Sequence, residues 1–111
     1  MDVALEILPQ EVGRRRAAGE RLTLVDVREA NEWGTARIEG SEWIPMNSVP
    51  AALGRLEAQA DESLLVVLCH HGVRSLNVVA WLRNQGVHNC TSMAGGIDRW
   101  SREVDATVPR Y

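Results

Sequence analysis

The chain has 111 residues, enough for one domain around one core. Hydrophobic residues make up 45% and charged residues 24%, a balance that excludes a disordered chain. The formal net charge of −3 argues against a general nucleic-acid binder, whose footprint is basic.

"LEIL", residues 5 to 8, predicts a short strand. Pro9 suits the first turn of a helix over "PQEVGRRRAAGE", which Gly19 closes. Its Arg14-Arg15-Arg16 run reads as a solvated face, with a docking patch for an acidic partner as the alternative. "LTLVDV", 22 to 27, predicts a strand whose continuous apolar run implies cover on both faces. A short helix is expected from Glu29 to Trp33, then a loop, then a brief strand around Trp43 and Ile44. Ser48 is placed to cap a helix over "VPAALGRLEAQ", with Pro50 in its first turn and Val49, Leu53 and Leu56 as its apolar stripe. "SLLVVL", 63 to 68, is the clearest buried strand. A helix over "SLNVVAWLRNQG" follows, with Leu76, Val79 and Leu82 at helical spacing and Gly86 as its stop. "VHNCTSM", 87 to 93, predicts the last strand and "GGIDRWSREV" the last helix, while the C-terminal "PRY" reads as tail. Phe is absent, and the four tryptophans are expected in or beside the core.

Strands alternating with helices imply an α/β fold: an open, mainly parallel sheet with helices on both faces. Residues 1–111 are expected to form a single domain. No stretch reaches the roughly 20 apolar residues of a membrane span. The N-terminus has no basic region ahead of an apolar core, so the expectation is a cytoplasmic protein.

In such sheets ligands bind beyond the carboxyl ends of the strands. "CHHGVRS", residues 69 to 75, stands at such an end and runs straight into a helix. The free N–H groups of a helix start, the helix dipole and the charge of Arg74 all favour a thiolate at Cys69 over a thiol. Gly72 allows the loop a backbone shape closed to other residues. The plainer alternative is a packed, inert cysteine at a strand end. Zinc is the other: Cys69, His70, His71, His88 and Cys90 carry ligand atoms. They include no C-x-x-C pair, and adjacent ligands rarely converge on one tetrahedral ion, so no metal is expected. His70 and His71 are expected to point outward at the rim. Cys90 is expected to be packed as a small hydrophobe.

"CHHGVRS" resembles the active-site loop of the rhodanese family, the single-domain sulfurtransferases. "LVDVREANEWGTARIEGSEWIPM" is similar to the family's upstream signature, and "MAGGIDRWSREVDATVPRY" to its C-terminal Gly-Gly-Ile-x-x-Trp signature. The ending resembles rhodanese domains fused to adenylyltransferases that activate sulfur-carrier proteins. The likeness runs from about residue 7 to the C-terminus. Two positions depart from the family pattern: Arg37 stands at its usual histidine and Ser41 at its usual alanine.

The resemblance implies a rhodanese-like three-layer sandwich with a five-stranded sheet. It implies no cofactor and a covalent cycle in which Cys69 is the nucleophile. Cys69 takes the outer sulfur of a small anionic donor such as thiosulfate, holds it as a persulfide, and passes it to cyanide, a thiol or a protein acceptor. His70, His71, Gly72, Val73, Arg74 and Ser75 would form the substrate-binding loop, with Arg74 fixing the loop and attracting the donor. Asp26, Arg28 and Glu32 would be ionic scaffold. A persulfide carrier serving a partner protein needs the same loop. A phosphatase or arsenate reductase on the same fold carries Cys-x5-Arg; Cys69 to Arg74 is Cys-x4-Arg, the tighter loop.

Overall fold

The computed structural model describes residues 3–111. Five strands form one sheet: β1 (Glu6–Ile7), β2 (Leu22–Asp26), β3 (Glu42–Trp43), β4 (Leu64–Leu68) and β5 (Cys90–Met93). Their order is β1-β5-β4-β2-β3, and every pairing is parallel. The helices are α1 (Pro9–Ala17), α2 (Ala30–Thr35), α3 (Leu53–Ala60), α4 (Val73–Asn84) and α5 (Gly96–Glu103).

The continuous apolar run of β4 has the cause expected of it. Leu65, Val67 and Cys69 join a buried cluster with Leu56 of α3 and Val78, Val79 and Leu82 of α4. Val66 and Leu68 face the other way, into a cluster with Val12 of α1 and Ile97 and Trp100 of α5. A strand alternates its side chains between faces, so a central strand covered on both must be apolar throughout. Trp100 is buried, and Trp81 packs against the first cluster. Trp33 and Trp43 stack on each other with ring centroids 6.1 Å apart.

Local chemistry moves several boundaries. The helix expected over residues 49–59 is two 3-10 turns, Met46–Ser48 and Pro50–Ala52, followed by α3. The bonds here run three residues back: Ser48 N to Pro45 O, Val49 N to Met46 O, Ala52 N to Val49 O, and Pro50 stands at the start of the second turn, where no N–H is required. Ser48 is the last residue of the first turn and caps nothing through its side chain. The Val49, Leu53 and Leu56 stripe still meets the core. The last strand is Cys90–Met93 alone, because Val87, His88 and Asn89 carry the turn out of α4. Helix α4 opens two residues earlier than its apolar pattern predicts, at Val73, with Gly72 in the left-handed region at φ 101° as its cap.

The arginine run on α1 is a paired face. Arg14 bonds Glu11, Arg15 lies 3.3 Å from Glu20, and Arg16 donates to the Glu39 carbonyl at 2.7 Å while its guanidinium covers the Trp100 ring. Among the described residues no helix is long and apolar enough to cross a membrane.

Candidate active site

Cys69 follows the last residue of β4 and is 1% exposed. Two backbone N–H groups donate to its Sγ: Gly72 N at 3.1 Å and Ser75 N at 3.3 Å. The early start of α4 explains the second. Val73, Arg74 and Ser75 are the first three residues of that helix, and Leu76 N makes its first turn-closing bond, to Gly72 O. The Ser75 amide thus has no carbonyl inside the helix and is free to serve the sulfur. Sγ also lies 3.4 Å from Ser75 Oγ, which in turn lies 2.7 Å from Ser92 Oγ on β5. Donors converging on a sulfur at a helix N-terminus stabilise negative charge there.

The loop is held from outside by the start of α5. Ile97 N donates to Cys69 O at 2.8 Å, and Asp98 N to His70 O at 3.1 Å. This approach is so close that a Cβ on Gly96 would sit 2.4 Å from both carbonyl oxygens. Gly96 is thereby explained: the helix start must touch the loop backbone.

The scaffold residues form two ion pairs. The register of β2 against β4 sets Asp26 level with Leu68, the residue before Cys69. Asp26 and Arg28 are both 0% exposed. Arg28 Nη2 donates to Asp26 Oδ2 at 2.7 Å and to Ala36 O at 2.6 Å, and Nε donates to Oδ1 at 2.9 Å. A buried pair with its remaining donors satisfied is the arrangement a low dielectric tolerates. Glu32 and Arg74 form the second pair, with Nη1–Oε1 at 2.6 Å and Nη2–Oε2 at 2.9 Å. The Arg74 hydrogen bonds are the largest influence on Glu32, holding its carboxyl down at about 2. The same partner raises Arg74 further above its ordinary value. Glu32 also closes a capping box with Glu29 at the start of α2.

The loop histidines divide. His71 is exposed, as expected. His70 does not point outward: its ring lies 3.9 Å from that of His71 and 4.0 Å from that of Tyr111, the second nearly parallel at 9°. Its Nε2 is shut from solvent without a hydrogen-bond partner. Burial first, then the neighbouring His71, pushes His70 below its ordinary value. Val73 is 70% exposed at the rim.

Two neighbours of the loop escaped the sequence reading. Ser92 looks like any small residue in a strand. Tyr111, read as tail, accepts from Arg28 Nη1 at 2.7 Å and donates to Glu32 Oε2 at 2.8 Å. Its signal was composition: it is the chain's only tyrosine, and it lies in the ending already noted for its family likeness.

The zinc set considered above is dispersed. Cys90 opens β5 opposite Leu65, so it lies about four residues, or roughly 13 Å, down the sheet from Cys69. Burial pushes its thiol up. His88 lies with Glu57 and Asp61 around a hollow at that far end. His70, His71 and Asp98 do bring ligand atoms within 4.8 Å of one another. The Asp98 oxygens, however, already accept from Arg102 at 3.2 Å and Arg110 at 3.0 Å, which opposes a cation there.

The rhodanese-like domain profile matches residues 8–103. The chain is 38% identical over 97 residues to the adenylyltransferase and sulfurtransferase MOCS3-2 of Zea mays, an alignment covering 84% of this chain and 20% of that protein. The chain therefore spans only about a fifth of that relative's length. It is 33% identical over 103 residues to the thiosulfate sulfurtransferase GlpE of Stutzerimonas stutzeri, covering 92% of this chain and 89% of that one. The human single-domain sulfurtransferase TSTD1 superposes with a TM-score of 0.77 at 28% identity, covering 91% of this chain and 98% of the other.

Proposed function

Because this chain belongs to the rhodanese-like domain family, we propose that it is a sulfurtransferase that works through a persulfide on Cys69. The observation that carries the reading is the convergence of Gly72 N and Ser75 N on Sγ, at 3.1 and 3.3 Å, within a six-residue loop. Cradle donors act only at hydrogen-bond distance from the charge that develops.

The reaction has two displacements. The Cys69 thiolate attacks the outer sulfur of thiosulfate; an S–S bond forms, the old S–S bond breaks, and sulfite leaves with its electron pair. Cys69 then carries one extra sulfur, whose anionic form the loop amides hold. A nucleophile such as cyanide or a thiolate attacks that outer sulfur, and the Cys69 thiolate leaves into the same cradle. The amides thus serve Cys69 as nucleophile in one step and as leaving group in the other. Asp26, Arg28, Glu32 and Arg74 keep the loop in shape and take no part in the bond changes. No metal or cofactor enters the cycle. Thiosulfate is the proposed donor, a thiol or protein the proposed cellular acceptor, and the cytoplasm the proposed compartment. A carrier that hands its sulfur to a partner protein uses the same first step, and the similarity to MOCS3-2 supports that form of the second step.

Intact mass after thiosulfate treatment tests the reading. One added sulfur atom is expected, removed by cyanide. Cys69→Ser should abolish the adduct and Cys90→Ser should retain it. An adduct that survives Cys69→Ser and vanishes with Cys90→Ser overturns the assignment.

A further inference from the structure

Two short stretches of chain decide where the Cys69 amide donors sit: the exit from β4 at His70 and the first turn of α4 at Arg74. One side chain outside the loop touches the first directly and is joined to the second through Glu32. The Tyr111 ring lies against His70, 4.0 Å between centroids and 9° from parallel. The Tyr111 hydroxyl donates to Glu32 Oε2 at 2.8 Å, the oxygen that also accepts from Arg74 Nη2 at 2.9 Å. The same hydroxyl accepts from Arg28 Nη1 at 2.7 Å, and the Arg28 guanidinium stands 5.6 Å from the ring centroid. The tyrosine thus couples the buried Asp26–Arg28 pair to the Glu32–Arg74 pair while backing the ring next to the cysteine.

We propose that Tyr111 is a positioning residue for the Cys69 loop, its hydroxyl joining the two ion pairs behind the loop and its ring fixing His70.

The hydroxyl keeps its proton across the neutral range, since burial raises it to about 12, so it can accept from Arg28 and donate to Glu32 at once. Nothing in this chain of contacts touches Sγ, so Tyr111 acts through Gly72 N and Ser75 N alone. A shift of the loop lengthens those two N–H···S contacts, whose effect falls on the charge developing at sulfur. The defect therefore belongs in kcat rather than in KM.

The proposal rests on Cys69 as the sulfur-transfer nucleophile, and its two readouts separate the failures. In Tyr111→Ala, kcat for thiosulfate:cyanide transfer is expected to fall about 10-fold with KM changed less than about twofold. The amide resonances of Gly72 and Ser75 in nitrogen-15 NMR spectra should move, while those of α1 stay in place. Tyr111→Phe, which keeps the ring and loses both hydroxyl contacts, should recover part of kcat and leave the two resonances between those of native and Ala. If native protein transfers no sulfur, the functional reading fails, and the NMR spectra still decide the role of Tyr111. Unmoved Gly72 and Ser75 resonances in a folded Ala variant overturn the proposal, as does a defect confined to KM. If Ala does not fold, the Phe spectra decide in the same way.

Discussion

Arg74 and Glu32 meet as a two-pronged ion pair between α4 and α2, Nη1–Oε1 at 2.6 Å and Nη2–Oε2 at 2.9 Å. The fork commits both terminal nitrogens of the guanidinium. An arginine so held is a poor attractor for a diffusing anion, because its charge is balanced within contact distance. Of the two roles expected for Arg74, fixing the loop is the one the geometry favours over attracting the donor.

Substitution at Arg74 separates these roles. Arg74→Lys keeps the charge but loses the planar fork, and only a fork matches both carboxylate oxygens. We expect kcat for sulfur transfer to fall roughly 10-fold in the Lys variant and further in Arg74→Ala, with little change in KM for thiosulfate. Steady-state kinetics at two salt concentrations check this. A defect confined to KM that added salt erases would restore the donor-attracting role.

The same pair sets a pH window for stability. The folded state holds Glu32 at about 2 against its ordinary 4.5, so between those values the unfolded chain binds the extra proton. Stability therefore rises with pH across the window: the Glu32 contribution is complete above about 4.5 and is lost as pH falls toward about 2. Urea midpoints at about pH 5.5 and about pH 3 should differ more for native protein than for Glu32→Gln, which has no proton to gain. Equal differences in both would show that other carboxyls carry the acid sensitivity.

How much of this was legible in the sequence follows the reach of local pattern. The β4 run and the α4 spacing are local, and from them came the strand end, the loop and the helix start that frame Cys69. The cap at Ser48 failed because the chain is already turning at Met46, so Ser48 ends a 3-10 turn instead of preceding a helix. His70 and Tyr111 illustrate the other limit. A histidine beside a histidine reads as exposed loop, and an aromatic after Pro109 has no periodicity to place it. Their contact joins positions 41 residues apart and is set by where α5 lays the chain end, which no window of sequence contains. Ser92 is hidden in the same way: its partner Ser75 lies on another element, 17 residues before it.

Two glycines make a matched test of the loop's outer support. At Gly96, φ is 62° and a Cβ would sit 2.4 Å from the Cys69 and His70 carbonyl oxygens. Backbone cannot yield there without moving the loop, so Gly96→Ala should cost at least about 2 kcal/mol in chemical denaturation. Gly54, inside α3, has nothing within 4 Å of its Cβ position. Gly54→Ala should stabilise by up to about 1 kcal/mol, through helix propensity and a less mobile unfolded chain. A mild Gly96→Ala would mean that α5 does not brace the loop.

Loop length tests function rather than reactivity, because a thiolate in a cradle could serve phosphate chemistry as readily as sulfur chemistry. In this loop Gly72 N and Ser75 N already reach Sγ itself, at 3.1 and 3.3 Å. A ring of donors closed that tightly suits one added sulfur, and a tetrahedral oxyanion needs a wider one. Gly72 is also fixed in place: φ is 101°, and a Cβ there would come 3.1 Å from Gly95 N. One residue inserted between His71 and Gly72 must either displace that contact or bulge the cradle, and both carry the amides off the sulfur. Thiosulfate:cyanide transfer should therefore be measurable in the native protein, negligible in a folded insertion variant, and unaccompanied by aryl phosphate hydrolysis in the native protein. Unchanged transfer in the insertion variant would sink the argument from loop size alone. Native phosphatase activity without sulfur transfer would overturn the sulfurtransferase reading as a whole.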